Sequence, residues 1–338
     1  MTPRVVLGMT LYNNARHLRE ATDSILAQSH HDFALLMLDD GSSADVERIA
    51  REYEQRDKRV RYFRHTQRRG MVPTWKEVAD IARREYPWAE YFAWVSDHDR
   101  WESTWLARMI AELDGHASGV LAYPRTLRID ENGAFIDKVP RVFDTSGIAG
   151  ARDRFRRFCW AGFGSGDMVY GLMRMSALDA VGTFRPVLNP DRLLIAELSL
   201  QGEIRQVDEP LWYRRQSSAS SLTRQATSLF ADHTPPRFDW PPSLQHAIVL
   251  RRQGIAVPMV AEYVLASAWR STRKTETSKS IGRGVDNLHF AKRLVKKAFR
   301  HAVYYALVGA RKAAAGSRRA TRKAVYQFLM FTHRTGLR

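Results

Sequence analysis

One cysteine in 338 residues leaves no internal disulfide to be made. Cys159 lies in Arg157-Phe158-Cys159-Trp160, an aromatic, helix-like setting that reads as a small packed thiol and not a nucleophile. A chain so poor in cysteine fits a reducing compartment. Long apolar runs are also missing. The longest, from Ile255 to Trp269, contains Pro258 and Glu262 and is too short to span a bilayer. Nor does a leader with a cleavage pattern open the chain, because Met1-Thr2-Pro3-Arg4 leads straight into a strand-like run. These absences lead us to expect a cytoplasmic protein. The last scarcity is regional. Between Arg270 and Arg338 there are 2 Asp/Glu against 18 Lys/Arg, while the preceding residues hold 34 against 35. The net charge of +17 therefore sits almost wholly in the tail, and such a tail suits an anionic partner.

Strands and helices alternate through the first third. Strand-like runs cover Arg4 to Thr10, Phe33 to Leu38, Val60 to Arg64 and Glu90 to Ser96. Between them, helical periodicity covers Asn14 to Gln28, Ser43 to Arg56 and, opened by Pro73, a stretch ending near Tyr86-Pro87. This order implies right-handed crossovers and a mostly parallel sheet. Further on, a helix is expected from about Ser103 to Asp114 and a strand from Gly119 to Tyr123. A hairpin is expected around Asp130-Glu131-Asn132-Gly133, flanked by Thr126 to Ile129 and Ala134 to Lys138. Asp153 to Trp160 reads as a helix, Met168 to Met175 as a buried strand, and Asp191 to Gln201 as a helix stopped by Gly202. Ile204 to Val207 and Leu211 to Arg214 read as two short strands. A Ser/Pro-containing stretch, 218–242, separates a first domain, 1–217, from a basic helical region, 243–338.

Two acidic groups stand at strand ends. Asp97-His98-Asp99 follows Tyr91-Phe92-Ala93-Trp94-Val95-Ser96, and Asp39-Asp40-Gly41-Ser42-Ser43 follows Leu35-Leu36-Met37-Leu38. In open α/β sheets ligands bind outside the carboxyl ends of the strands. Two hard oxygen ligands one residue apart suit Mg2+ or Mn2+, which can also hold a diphosphate. Alone, each motif is a weak signal.

Together with Gly8-Met9-Thr10-Leu11-Tyr12-Asn13-Asn14, Ser24-Ile25-Leu26-Ala27-Gln28-Ser29 and Asn189-Pro190-Asp191, in this order, the two motifs resemble a family 2 glycosyltransferase of the GT-A fold, across about Arg4 to Arg215. The resemblance implies a Rossmann-like, mostly parallel sheet with helices on both faces, here followed by a basic α-helical C-terminal region. It implies an inverting, hexosyltransferase-type enzyme using a nucleoside diphosphate sugar, with a UDP-sugar favoured. By resemblance the base is held near Thr10, Tyr12 and Asp40. The diphosphate lies near Arg68-Arg69-Gly70, with Arg69 the candidate. Asp97 lies toward the ribose, Asp97 and Asp99 form the metal motif, and Asp191 is the general base. The family often has two acidic residues where this chain has Pro190-Asp191. His98 is a further candidate ligand. Trp160, Phe163 and Trp212 are candidates to line an acceptor site.

The acceptor expected is a saccharide or lipid-linked hydroxyl in cell-surface polysaccharide or glycolipid assembly. The tail would bring the enzyme to an anionic membrane surface on the inner face of the cell membrane. Packing on the body or a homo-oligomer is the bland alternative. Nucleic acid is disfavoured, since few aromatics are placed to stack on bases. Two other readings compete. A sugar-phosphate nucleotidyltransferase would need a Gly-rich loop after the first strand, and Thr10-Leu11-Tyr12-Asn13-Asn14 has none. A non-catalytic scaffold does not require Asp40, Asp97, Asp99 and Asp191 together.

Overall fold

The computed structural model describes residues 2–138, 140–162, 164–216, 229 and 241–279, with 271–279 as backbone only. The chain divides into two compact units, Met1–Asp239 and Trp240–Arg338.

The first unit is built on a nine-stranded sheet. Its parallel half consists of β1 (Val5–Leu11), β2 (Phe33–Asp39), β3 (Val60–Arg64) and β4 (Tyr91–Val95), in the order β3-β2-β1-β4. Helices α1 (Ala15–Leu26), α2 (Ala44–Arg56) and α3 (Met71–Glu85) make the crossovers. β1, β2 and β4 are buried almost throughout, as strands covered on both faces must be. Gly8 shows how close the packing is. A Cβ there would stand 2.9 Å from Phe92 Cζ and 3.0 Å from a Val78 methyl. Gly8→Ala is expected to cost about 1–3 kcal/mol of stability by overpacking, seen as a lower denaturation midpoint at unchanged slope.

Beyond β4 the sheet turns mixed. Short β5 (Arg100–Trp101) is followed by α4 (Trp105–Asp114), β6 (Gly119–Ile129) and β7 (Phe135–Ile136), the last two forming the expected hairpin. Then come α5 (Ala151–Ala161), α6 (Ser165–Met168), β8 (Leu172–Arg174), α7 (Met175–Val181), α8 (Pro190–Gln201) and β9 (Glu203–Arg215). β8 runs antiparallel between β4 and β6, and β9 is parallel to β6 with register shifts. The end of β9 pairs antiparallel with β5, Arg100 opposite Tyr213 and Trp101 opposite Trp212. That pairing carries the last residues of β9 beside the loop leaving β4.

Four expectations are corrected. Met168 to Met175 is not one strand but the end of α6, a turn, the three-residue β8 and the start of α7. All-round burial gave it no period to separate helix from strand. The two strands read at 204–207 and 211–214 are one β9, irregular around residues 207–210. The Gly119–Tyr123 strand continues to Ile129. α3 begins at Met71, before Pro73, because Gly70 at φ +95° ends the loop and proline is tolerated in the first turn.

The second unit contributes α9 (Pro242–Arg252) and α10 (Val257–Lys279). Among the described residues no helix is long and apolar enough to cross a membrane. The helix read at 286–333 and Phe163 lie outside the described residues.

Candidate functional site

Three loops at the carboxyl ends of β1, β2 and β3 are tied together by short polar side chains. Asn13, at φ +51°, donates its amide to Ser42 Oγ (3.1 Å), and its Oδ1 accepts from the Ser43 amide (2.9 Å). A left-handed backbone is a conformation asparagine tolerates well. Asp39 is wholly buried and turns the chain, accepting from the Ser42 amide (2.8 Å) and Tyr62 hydroxyl (2.7 Å). Asp40 reaches across to the β3–α3 loop. Its Oδ1 accepts from the Arg69 amide (2.7 Å) and its Oδ2 from the Gly70 amide (2.8 Å), with His65 Nδ1 3.0 Å from Oδ1. The Asp40 carboxylate therefore shapes this loop. The Arg69 guanidinium is paired with Glu77 on α3 (2.7 Å). Tyr12 is exposed at the tip of β1, with the Arg68 guanidinium 4.5 Å from its ring centre. Thr10 sits partly exposed two residues earlier.

The β4 tip joins this platform through Asn14, whose Nδ2 approaches Asp97 Oδ1 (3.4 Å). His98 Nδ1 lies 2.7 Å from the same oxygen and 3.0 Å from Ser96 Oγ. Burial works against the His98 imidazolium, but the hydrogen bond to Asp97 and the charges of Asp99 and Asp97 outweigh it and push its pKa up to about 9. The His98 side chain, partly open to solvent, thus favours its charged form beside these carboxylates. Asp99 is 1% exposed and accepts the Arg215 amide at Oδ1 (2.7 Å). Burial pushes its carboxyl up, against the pull of His98 and Arg214. Oδ2 of Asp97 and Oδ2 of Asp99 accept no hydrogen bond from the described residues. Two such hard oxygens fit a divalent cation that completes its shell with ligand phosphates and water. Among the described residues no group of three or more His, Cys, Asp or Glu converges as a ready-made metal cage.

The facing wall comes from α6, α8 and β9. Asp191 lies in the first turn of α8, whose cap position is Asn189 at φ +50°. No side chain caps this helix, so Asp191 is not its N-cap. Instead its Oδ2 accepts from Ser165 Oγ (2.9 Å). Gly166 leaves room here, since a Cβ on it would lie 3.4 Å from Arg214 Nη1 and 3.6 Å from Asp191 Oδ2. Arg214 donates to the Gly166 carbonyl (2.8 Å) and Asp167 Oδ1 (2.6 Å), and Arg128 takes both oxygens of Asp167 (2.7 Å each). Tyr170, in the turn before β8, packs on Trp212 of β9 and Trp75 of α3. Its phenol is held well above its ordinary range by burial first, against the Arg214 charge, and then by Asp99, Asp97 and Asp191 together.

Thr10, Tyr12, Asp40, Asp97, Asp99 and Asp191 thus gather at one end of the sheet, while Arg69 arrives there by its amide. Trp212 is corrected: it is 1% exposed and stacked on Trp101 inside the core, and lines no acceptor surface. Trp160 is partly exposed on α5. The sequence reading missed Tyr170, Arg214 and Arg215. A tandem Arg-Arg closing an apolar strand was the available signal for two of them. A surface depression of about 900 Å3, lined by His31, Asp32 and residues 55–59, lies at the amino ends of β2 and β3, away from all these groups.

Residues 7–180 match the model described as glycosyl transferase family 2. An uncharacterized glycosyltransferase of Methanocaldococcus jannaschii is 31% identical over 86 residues, 25% of this chain and 30% of that protein. Protein CgeD of Bacillus subtilis is 25% identical over 140 residues, 39% of this chain and 32% of that protein. The chain spans about a third or less of the length of these curated relatives. Among solved structures, S. aureus TarS 1-349 in complex with UDP-GlcNAc superposes with TM-score 0.61 at 12% identity, over 87% of this chain and 80% of that one. Mannosyltransferase PcManGT from Pyrobaculum calidifontis, in complex with GDP-Man and Mn2+, gives TM-score 0.51 at 15% identity, over 98% and 81%. At these identities the structural likeness speaks for the shared fold, a GT-A-type α/β sheet.

Proposed function

The chain belongs to glycosyl transferase family 2, and from that premise we propose that it moves a sugar from a nucleoside diphosphate sugar to an acceptor hydroxyl, with inversion at the anomeric carbon. The observation that supports this reading is the end of β9. The Arg215 amide donates to Asp99, while Arg214, one residue earlier, donates to the Gly166 carbonyl, beside Asp191, so the paired carboxylates and the lone one approach the same end of the sheet.

The nucleoside lies over Thr10 and Tyr12, in the loop that Asp40 holds against Arg69 and Gly70. Asp97 and Asp99 would hold Mn2+ or Mg2+, which would supply Lewis-acid neutralisation of the diphosphate. Asp191 takes the proton of the acceptor hydroxyl as that oxygen attacks the anomeric carbon from the face opposite the leaving group. Arg214 donates to the Gly166 carbonyl and Asp167 and so holds the segment that carries Ser165 beside Asp191. UDP is the favoured nucleotide, in line with the UDP-GlcNAc in the TarS complex. Incubation with a panel of UDP- and GDP-sugars and Mn2+, followed by phosphorus NMR, tests the reading. Release of nucleoside diphosphate is expected; intact sugars across the panel would sink it. Retained anomeric configuration in the product would remove Asp191 as base.

The basic stretch from Arg270 supports a further part of the reading: attachment to an anionic membrane surface carrying a lipid-linked acceptor. Each Lys or Arg near such a surface contributes about 1 kcal/mol. The protein is expected to sediment with vesicles containing phosphatidylglycerol and to be released by raised salt. Equal sedimentation with neutral vesicles would contradict it.

A further inference from the structure

We infer that Arg215 is a positioning residue that sets the Asp99 carboxylate for its cation. The inference rests on the metal reading above, but concerns a residue that touches neither substrate nor cation. Arg215 is the last residue of β9, and its side chain is 4% exposed. Its amide donates to Asp99 Oδ1 (2.7 Å), which leaves the other carboxylate oxygen without a hydrogen bond from the described residues. Its Nε donates to the His98 carbonyl (2.9 Å), fixing the peptide that joins His98 to Asp99. Nη1 donates to the carbonyls of Asp130 (2.9 Å) and Glu131 (3.1 Å) in the β6–β7 turn. Nη2 donates to Glu20 Oε2 on α1 (2.6 Å). One residue thereby grips the metal loop, the hairpin turn and the first helix.

Only a planar fork with several fixed donors can make these bonds at once. A lysine ammonium is a compact point charge and reaches one or two of them. Burying a guanidinium is costly, and where stability alone is at stake a packed apolar side chain often does as well. Here four of the five side-chain donors are spent on three backbone carbonyls and the Glu20 carboxylate. Groups that orient a ligand without touching the metal commonly change metal affinity by about 10–100-fold when altered. Arg16 provides the contrast. It touches the same hairpin turn at Asn132 (3.1 Å) from a mostly exposed position, with no bond to the 97–99 loop.

The test is Mn2+ uptake, read as free Mn2+ by electron paramagnetic resonance, in the full protein with UDP present. Circular dichroism checks the fold of each variant. Arg215→Lys is expected to weaken uptake by at least about tenfold, while Arg16→Ala leaves it unchanged. A folded Arg215→Lys protein with unaltered uptake overturns the inference alone. So does an Arg16→Ala loss equal to that of Arg215→Lys, because the effect would then belong to the hairpin. If Arg215→Lys does not fold, Glu20→Gln decides. It disturbs the half-exposed end of the clamp and a longer ion pair to Arg100 (3.7 Å), and a loss of about two- to fivefold is expected from an ion pair of that exposure. Unchanged uptake by Glu20→Gln overturns the inference. Failure of the unaltered protein to take up Mn2+ overturns the metal reading itself, and this inference with it.

Discussion

Replacing Asp191 by asparagine is expected to lower turnover by about 10²–10⁴-fold, the usual contribution of a positioned general base. Donor binding should stay as it is. The substitution preserves shape, and an amide oxygen can still accept from Ser165 Oγ, which now bonds Asp191 Oδ2 at 2.9 Å. Helix α8 should be unaffected, because its cap position is Asn189 and Asp191 lies inside the first turn. What changes is the capacity to take a proton. Steady-state rates with a nucleotide sugar, set beside calorimetric binding of the matching nucleoside diphosphate, check both halves. Turnover within tenfold of the unaltered enzyme would remove the base role.

The second large effect is expected from Asp99→Asn. Asp99 is buried and accepts the Arg215 amide, so truncation to alanine would leave that amide unsatisfied, at a cost of about 1–3 kcal/mol. Asparagine keeps an acceptor there and removes the charge. Mn2+-dependent strengthening of nucleoside diphosphate binding should be lost, with thermal stability close to that of the unaltered protein. Calorimetry in Mn2+ and in chelator separates the two. If Asn at 99 leaves the Mn2+ effect intact, the cation is held elsewhere.

The parallel half of the sheet could be read from the sequence because its signals are local. Val60–Arg64 falls where expected, and β1, β2 and β4 lie within a residue of the expected ends. Apolar runs ending in Asp-Asp-Gly and Asp-His-Asp also mark the strand tips. The wall opposite was harder to read. β8 has only three residues between two short helices, and Met168 to Met175 contains no exposed position to set a period. Its site residues depend on pairings that no local pattern reports. Tyr170 packs on Trp212 from a turn, and Arg215 reaches Asp99 because the end of β9 pairs with β5. Asp40 adds a different lesson. A carboxylate at a strand tip reads as a ligand contact, and the structure adds two backbone amides and His65 as its partners, so it also shapes the β3–α3 loop.

Titration of UDP into the full protein, once with Mn2+ and once with chelator, tests the central claim most directly, since the claim is one cleft that binds a nucleoside diphosphate through Asp97 and Asp99. The account predicts saturable binding at one site that weakens by tenfold or more when Mn2+ is removed. Equal affinity in both conditions would contradict the cation's role, and no binding of UDP or GDP in either would contradict the assignment of the cleft.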